Sequence, residues 1–303
     1  MAHAAGEPLP AAPRESGCQC HRYYPGVRLN EHIGRLQAFA VRPVSSVQLL
    51  EPPRGHVALV IGFGDPIRIA PLTTPDTEGT YASFVVGPDH PPLIARHEEG
   101  CTWFEIFLSP CTAYELFGDG TQGLDGRVIP LDALFGDTLN RLTEQLIVAA
   151  SWEQRFALLE TTLTQYLDRQ PRQVRAEIHW AWHCLEQAGG AMPISELVSA
   201  LGWSHRHFVR SFQHYTGMTP KVSARHLRLA RALACLDQSP EEALAAVALE
   251  CHYCDQSHLT REFQALAGCT PATYRHQCLG HFLTATPPAA RSDFFKTSPA
   301  PAA

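Results

Sequence analysis

No stretch of this 303-residue chain approaches the roughly 18 consecutive apolar residues that a membrane helix needs, so no spanning segment is expected. The opening residues, MAHAAGEPLPAAPRES, lack a basic stretch followed by an apolar run, so no secretory leader is read there. Catalytic signatures are missing too. There is no G-x-S-x-G, no H-E-x-x-H and no Walker sequence, which removes the support for hydrolysis or phosphoryl transfer. GFGDP (residues 62–66) lacks the third glycine of a dinucleotide fingerprint and carries Pro66 where a helix should open, so it reads as a hairpin turn. Nor is there a general excess of positive charge. The formal net charge of -6 speaks against a nucleic-acid binder unless the basic residues are gathered locally.

What is present suits a globular protein. Hydrophobic residues make up 45% and charged residues 18%, and the length accommodates about two domains of roughly 100–200 residues. A cytoplasmic location is expected, with the ten cysteines mostly as thiols. Cys184, Cys235, Cys269 and Cys278 are read as small buried hydrophobes. Three segments carry metal-like spacing. Cys251, Cys254 and His258 fall in CHYCDQSH, Cys18 to His21 read CQCH, and RHEEG (residues 96–100) sets His97 beside two carboxylates. CQCH adjoins a Pro- and Ala-rich tail with no clear partner ligands, and no second histidine follows His97 at ligand spacing, so RHEEG reads as a solvated loop.

Composition and periodicity divide the chain. Residues 1–20 and 281–303 are rich in Ala, Pro and Ser and read as disordered tails. From about Tyr23 to Phe107, short runs such as HVALVIGF, ASFVVG and TWFEIFLS, punctuated by Gly and Pro clusters, read as strands. After LFGDGTQGLDGR the apolar period becomes helical, with Ser151 as an N-cap. The expected organisation is a β-rich regulatory domain with C-terminal helices over 21–170 and an all-α domain over 174–280.

An internal repeat organises that second domain. At an offset of 51, SHRHFVRSFQHYTGMTP (204–220) lies over DQSHLTREFQALAGCTP (255–271), and seven of the seventeen positions are identical. Phe208 and Phe212, like Leu259 and Phe263, are four apart and share one helix face, predicted to be buried. Gly217 and Gly268 fit left-handed C-caps, and Thr-Pro then opens the next helix. A short apolar stretch precedes each copy, ISELVSALG and EEALAAVALEC, which predicts helix-turn-helix units over about 194–217 and 242–268. Between them TPKVSARHLRLARALACL reads as a long amphipathic helix with Val222, Leu227, Leu229, Leu233 and Leu236 as its apolar content. From Trp203 to Arg231 there are six basic residues, four histidines and no acidic residue, so the positive charge is local.

The strings LGWSHRHFVRSFQHYTGMTP, ARHLRLARAL and YCDQSHLTREFQALAGCTPATYR resemble the seven-helix, double helix-turn-helix domain of the AraC/XylS transcription regulators. The resemblance covers roughly a third of the chain, from about Val174 to Cys278. It departs from the family at His252, which stands where glycine is usual in the second turn. The fold implied is α+β: a β-rich sensing or dimerisation domain, cupin-like or a related half-barrel, followed by helices and then the all-α domain. The function implied is a sequence-specific, non-enzymatic DNA-binding transcription regulator. Its expected partners are double-stranded promoter DNA, RNA polymerase, a small-molecule effector of unknown identity and a second copy of the chain, with no membrane, cofactor or metal.

By the same resemblance, His205, Arg206, Val209, Arg210, Gln256, Ser257, Thr260 and Arg261 read bases. Arg pairs with guanine and Gln with adenine in the major groove. Lys221, Arg225 and His258 are assigned to phosphates, with His258 alternatively bracing its helix. The first unit and the connecting helix are expected to supply most of the phosphate affinity. Trp103, Phe104, Phe107 and Tyr114 are read as core aromatics, with an effector pocket as the alternative. The rival function is a DNA alkylation-repair methyl acceptor carrying an AraC-type domain. It calls for a zinc-organised cysteine set near the N-terminus and a Pro-Cys-His-Arg motif, whereas only Cys18 and Cys20 lie there and PCHR is absent.

Overall fold

The structure is a computed structural model and describes residues 18–22, 33–41, 47–98, 100–118, 124, 126–169 and 173–277. The expected tails lie outside the described residues, except that Cys18–Cys20 fall in the first strand. Cys278 also lies outside them.

Two antiparallel sheets build the N-terminal domain. One runs in the order β1 (Cys18–Arg22), β2 (Ile33–Val41), β9 (Thr102–Leu108), β4 (Val57–Gly62), β7 (Ser83–Val86) and β10 (Val128–Pro130). The other runs β3 (Val47–Glu51), β8 (Leu93–His97), β5 (Ile67–Pro71) and β6 (Gly79–Tyr81). Between the sheets, Val60, Phe84, Val86 and Trp103 meet Ile67, Ile69, Leu93 and Ala95. The other face of the larger sheet presents Leu59, Ile61, Phe104 and Ile106 to four helices: α1 (Pro110–Phe117), α2 (Asp132–Phe135), α3 (Asp137–Val148) and α4 (Trp152–Arg169). Strand β4 is buried on both faces, which is why VALVIG has no polar residue. The GFGDP turn joins β4 to β5, and Ser151 Oγ accepts from Gln154 N (3.3 Å) at the start of α4.

The solvated loop expected over RHEEG is overturned in its first half. Arg96 and His97 end strand β8, where the alternation Leu93, Ala95, His97 turns His97 inward. His97 is 4% exposed and stacks on Trp103 with ring centroids 4.5 Å apart. Desolvation lowers its pKa to about 4. On the outer side, Arg96 pairs with Glu78 and Arg68 with Glu98.

Residues 173–277 hold seven helices: α5 (Ala176–Gln187), α6 (Ile194–Leu201), α7 (His205–Thr216), α8 (Pro220–Gln238), α9 (Leu244–Glu250), α10 (Gln256–Ala267) and α11 (Pro271–Gln277). Their apolar side chains gather in two clusters. Ile178, Trp182, Leu197, Phe208 and Phe212 form the first, and Val247, Tyr253, Leu259, Phe263 and Tyr274 form the second. Helix α8 is the shared spine, giving Ala224 and Leu227 to the first cluster and Leu229, Leu233 and Leu236 to the second. The N-terminal domain touches both. Cys111 of α1 enters the first cluster, and Leu49 and Leu50 of β3 pack on the second. Polar links cross the same boundary, with His56 Nε2 donating to Glu186 (2.6 Å) and His226 Nε2 lying 3.4 Å from Asp89. Burial opposes charge on His56, but the Glu186 carboxylate outweighs it and raises its pKa.

Candidate nucleic-acid interface

Each half of the repeat folds as short helix, turn, longer helix. The two turns close the short helix with the same hydrogen bonds. Gly202 N donates to Ser199 O (3.2 Å) and Trp203 N to Val198 O (3.3 Å). In the second unit His252 N donates to Leu249 O (3.2 Å) and Tyr253 N to Ala248 O (2.9 Å). This is the C-terminal motif that calls for a left-handed residue. Gly202 supplies it with φ 63°, and His252 with φ 60°, the sole non-glycine at positive φ among the described residues. The backbone thus keeps the shape usual for glycine although histidine stands there. These bonds repeat at an offset of 50 while the following helices repeat at 51, so the second turn is one residue longer.

The longer helices then start alike. Ser204 Oγ accepts from His207 N (3.3 Å), and Asp255 Oδ1 accepts from His258 N (2.7 Å). Both end on left-handed glycines, Gly217 (φ 73°) and Gly268 (φ 76°), and Thr219 and Thr270 cap the helices beyond. The cysteines of CHYCDQSH play no common part as ligands. Cys251 is buried with its Sγ 3.6 Å from Cys235, while Cys254 is exposed, and no cluster of metal-ligand residues occurs among the described residues. Of the other cysteines read as small hydrophobes, Cys235 is buried and Cys184 and Cys269 are half-buried.

The outward face of α7 carries His205, Arg206 and Arg210, all exposed, with Val209 half-buried beside them. Gln256, Ser257 and Arg261 are exposed on α10, and Thr260 is half-buried. Two of these side chains turn back on their own helix. Thr260 Oγ1 donates to Gln256 O (2.9 Å), and Arg261 Nε to Ser257 O (3.3 Å). His258 Nδ1 accepts from Cys254 N (3.4 Å), and its ring meets Tyr253 edge-on at 5.3 Å between centroids. Its counterpart His207 lies against Trp203 at 4.5 Å, so each repeated histidine braces its turn against an aromatic ring.

The basic residues of α8 are disposed differently from those of α7. Lys221 is exposed. Arg225 Nε donates to Glu262 Oε2 (3.1 Å), and Arg228 Nη2 to Glu262 Oε1 (3.2 Å). Arg231 Nη1 lies 3.4 Å from His252 Nε2. Counting charge along the sequence missed this pairing, because Glu262 lies 34 residues beyond Arg228 and reaches it only through the fold. Of the four aromatics weighed as pocket lining, Trp103 and Phe104 are core, Phe107 is half-buried, and Tyr114 packs edge-on against Tyr215 (5.0 Å) and His214 at the end of α7.

Two tandem helix-turn-helix units on one spine helix, behind a two-sheet domain, define a double helix-turn-helix module. The C-terminal third of the chain holds a helix-turn-helix domain. Residues 197–277 match the family model described as a helix-turn-helix domain. Among known proteins, the putative HTH-type transcriptional regulator YkgA of Escherichia coli (strain K12) is 31% identical over 84 residues. That match takes in 28% of this chain and 35% of YkgA, so the similarity spans about a third of that relative's length. Among solved structures, ToxT from Vibrio cholerae gives a TM-score of 0.46 at 9% identity, over 80% of this chain and 98% of ToxT. The AraC-like transcriptional activator CuxR gives 0.32 at 12% identity, over 89% and 85% of the two chains. No helix among the described residues is long and apolar enough to cross a membrane.

Proposed function

We propose that the protein is a cytoplasmic, sequence-specific transcription regulator that places α7 and α10 in successive stretches of the DNA major groove. The observation that carries this reading is the exposed basic face of α7, whose backbone frame recurs in α10. In this reading Arg206 and Arg210 pair with base edges, His205 and Val209 add contacts beside them, and Gln256 and Ser257 begin the second set. Thr260 and Arg261 join that set once DNA draws them from their own helix carbonyls. Lys221 contacts phosphate, while Arg225 and His258, both engaged within the domain, contribute field more than direct contact. The two-sheet domain, in contact with both units, is the regulatory part, acting through an effector or a second copy of the chain.

The test is a promoter-fragment gel shift with the full chain, on sites recovered by genomic-library selection. Replacing Arg206 and Arg210 together by Ala should lower affinity at least about a hundredfold, the scale of two lost base contacts, with an unchanged circular dichroism spectrum. Wild-type affinity in the double variant would remove α7 from the interface.

A further inference from the structure

We infer that Glu262 is a positioning residue that sets the relative placement of the two recognition helices, and with it the spacing of the DNA segments they read; this rests on the DNA-reading function proposed above.

Glu262 sits on α10 between Arg261, which faces outward, and Phe263, which is in the core. Its side chain is directed sideways at α8 and is 10% exposed. One carboxylate there meets two guanidinium groups, Arg225 at 3.1 Å and Arg228 at 3.2 Å, and His258 Nε2 stands 3.9 Å away. Arg228 carries the link further. Its Nη1 donates to Gly190 O (3.2 Å) in the turn that leads into α6, and its guanidinium lies over Tyr253 at 5.8 Å. A polar line thus runs from the approach to the first unit, through the spine helix, to the second recognition helix.

The apolar packing does not supply that line. The two units have separate cores that both meet α8, and apolar contact is non-directional. Charge-assisted bonds to two planar guanidinium groups hold an angle as well as a distance. Buried ion pairs are weak sources of net stability, and their best-attested use is to select one geometry over its neighbours. Precision is needed here, since each added base pair moves a half-site about 3.4 Å along the DNA axis. The pairing also withholds two positive charges from the phosphates, so geometry and raw affinity are set against each other at this one carboxylate.

The two effects separate experimentally. Full-length wild-type protein, Glu262→Gln and Glu262→Asp are titrated against duplexes carrying the selected site with its spacer unchanged, or altered by one base pair either way. Wild type should lose about tenfold in affinity on a spacer change, comparable with one mismatched base pair. In Glu262→Gln that penalty should shrink to about twofold, while the salt dependence steepens by about 0.9 in log–log slope for each guanidinium that reaches a phosphate. Glu262→Asp should retain most of the spacer preference. Loss of folding alone would weaken binding to every spacer and would not steepen the slope. Arg225→Gln approaches the same link from α8 and should relax the spacer preference with no steeper slope. Wild-type spacer preference and slope in both Glu262→Gln and Arg225→Gln would overturn the assignment. A wild-type chain that binds no duplex selectively would instead overturn the DNA-reading function beneath it.

Discussion

His252 shows how the sequence can mark a position and still leave its backbone angle to the fold. The position is marked by the missing glycine, and its φ of 60° shows that the turn keeps the glycine conformation. A side chain in that region costs about 1 kcal/mol or more. Part of this is offset by the 3.4 Å approach of Arg231 Nη1 to the imidazole. His252→Gly should therefore raise the stability of the domain by about 0.5–1 kcal/mol, read as a higher urea midpoint at unchanged m-value. A lower midpoint would mean that the Arg231 contact outweighs the backbone strain. Glu262 is the opposite case. Nothing in its local sequence marks the pairing, because its two arginine partners lie on another helix.

Among elements, the recognition helices were the most legible. Phase, caps and terminating glycines all follow from local rules, and each has its counterpart in a hydrogen bond or a left-handed angle. The structure shows an N-cap at Asp255, whose carboxylate accepts from His258 N at 2.7 Å and also faces the positive end of the α10 dipole. Asp255→Ala should cost about 1 kcal/mol, measured by thermal unfolding, and Asp255→Asn should recover most of it. The loss should appear as fraying of α10 in amide exchange, with α7 unaffected. Strand β8 was less legible. Its polar end, Arg96-His97, looks like solvated loop until the alternation of Leu93 and Ala95 is extended one step and His97 is found stacked on Trp103.

At the scale of the molecule, two of the histidines where the domains meet are buried in the neutral form, unlike His56, which Glu186 holds toward its charged form. His226 of α8 lies beside Asp89, and His90 follows Asp89 in the chain. Burial lowers the pKa of His90 to about 4 and also lowers that of His226, where Asp89 and Glu262 oppose the shift and Arg225 adds to it. His97, inside the two-sheet domain, is likewise brought to about 4. In each case the unfolded chain takes up the proton first as pH falls. The stability that these three neutral histidines contribute should be fully present above about pH 6.5 and fall away toward pH 4, by at most roughly 1.4 kcal/mol per pH unit for each, whereas the raised pKa of His56 acts in the opposite sense. Unfolding midpoints measured between pH 4 and 7 should show this slope, and His90→Gln should reduce it. A flat profile across that window would contradict the buried neutral state.

The sequence alone determined what depends on neighbours along the chain: helical phase, capping residues, the left-handed positions and the repeat that joins them into two units. Those features obey local sterics and hydrogen bonding, which a short segment carries with it. Only the tertiary structure decided which charges are available to a ligand. Arg225 and Arg228 look as free as Arg206 and Arg210 until α10 brings Glu262 within 3.1–3.2 Å of them. The contact between Leu49, Leu50, Cys111 and the helix-turn-helix cores was equally hidden. Electrostatic pairing and apolar burial both depend on distance in space, and separation along the chain does not reveal it.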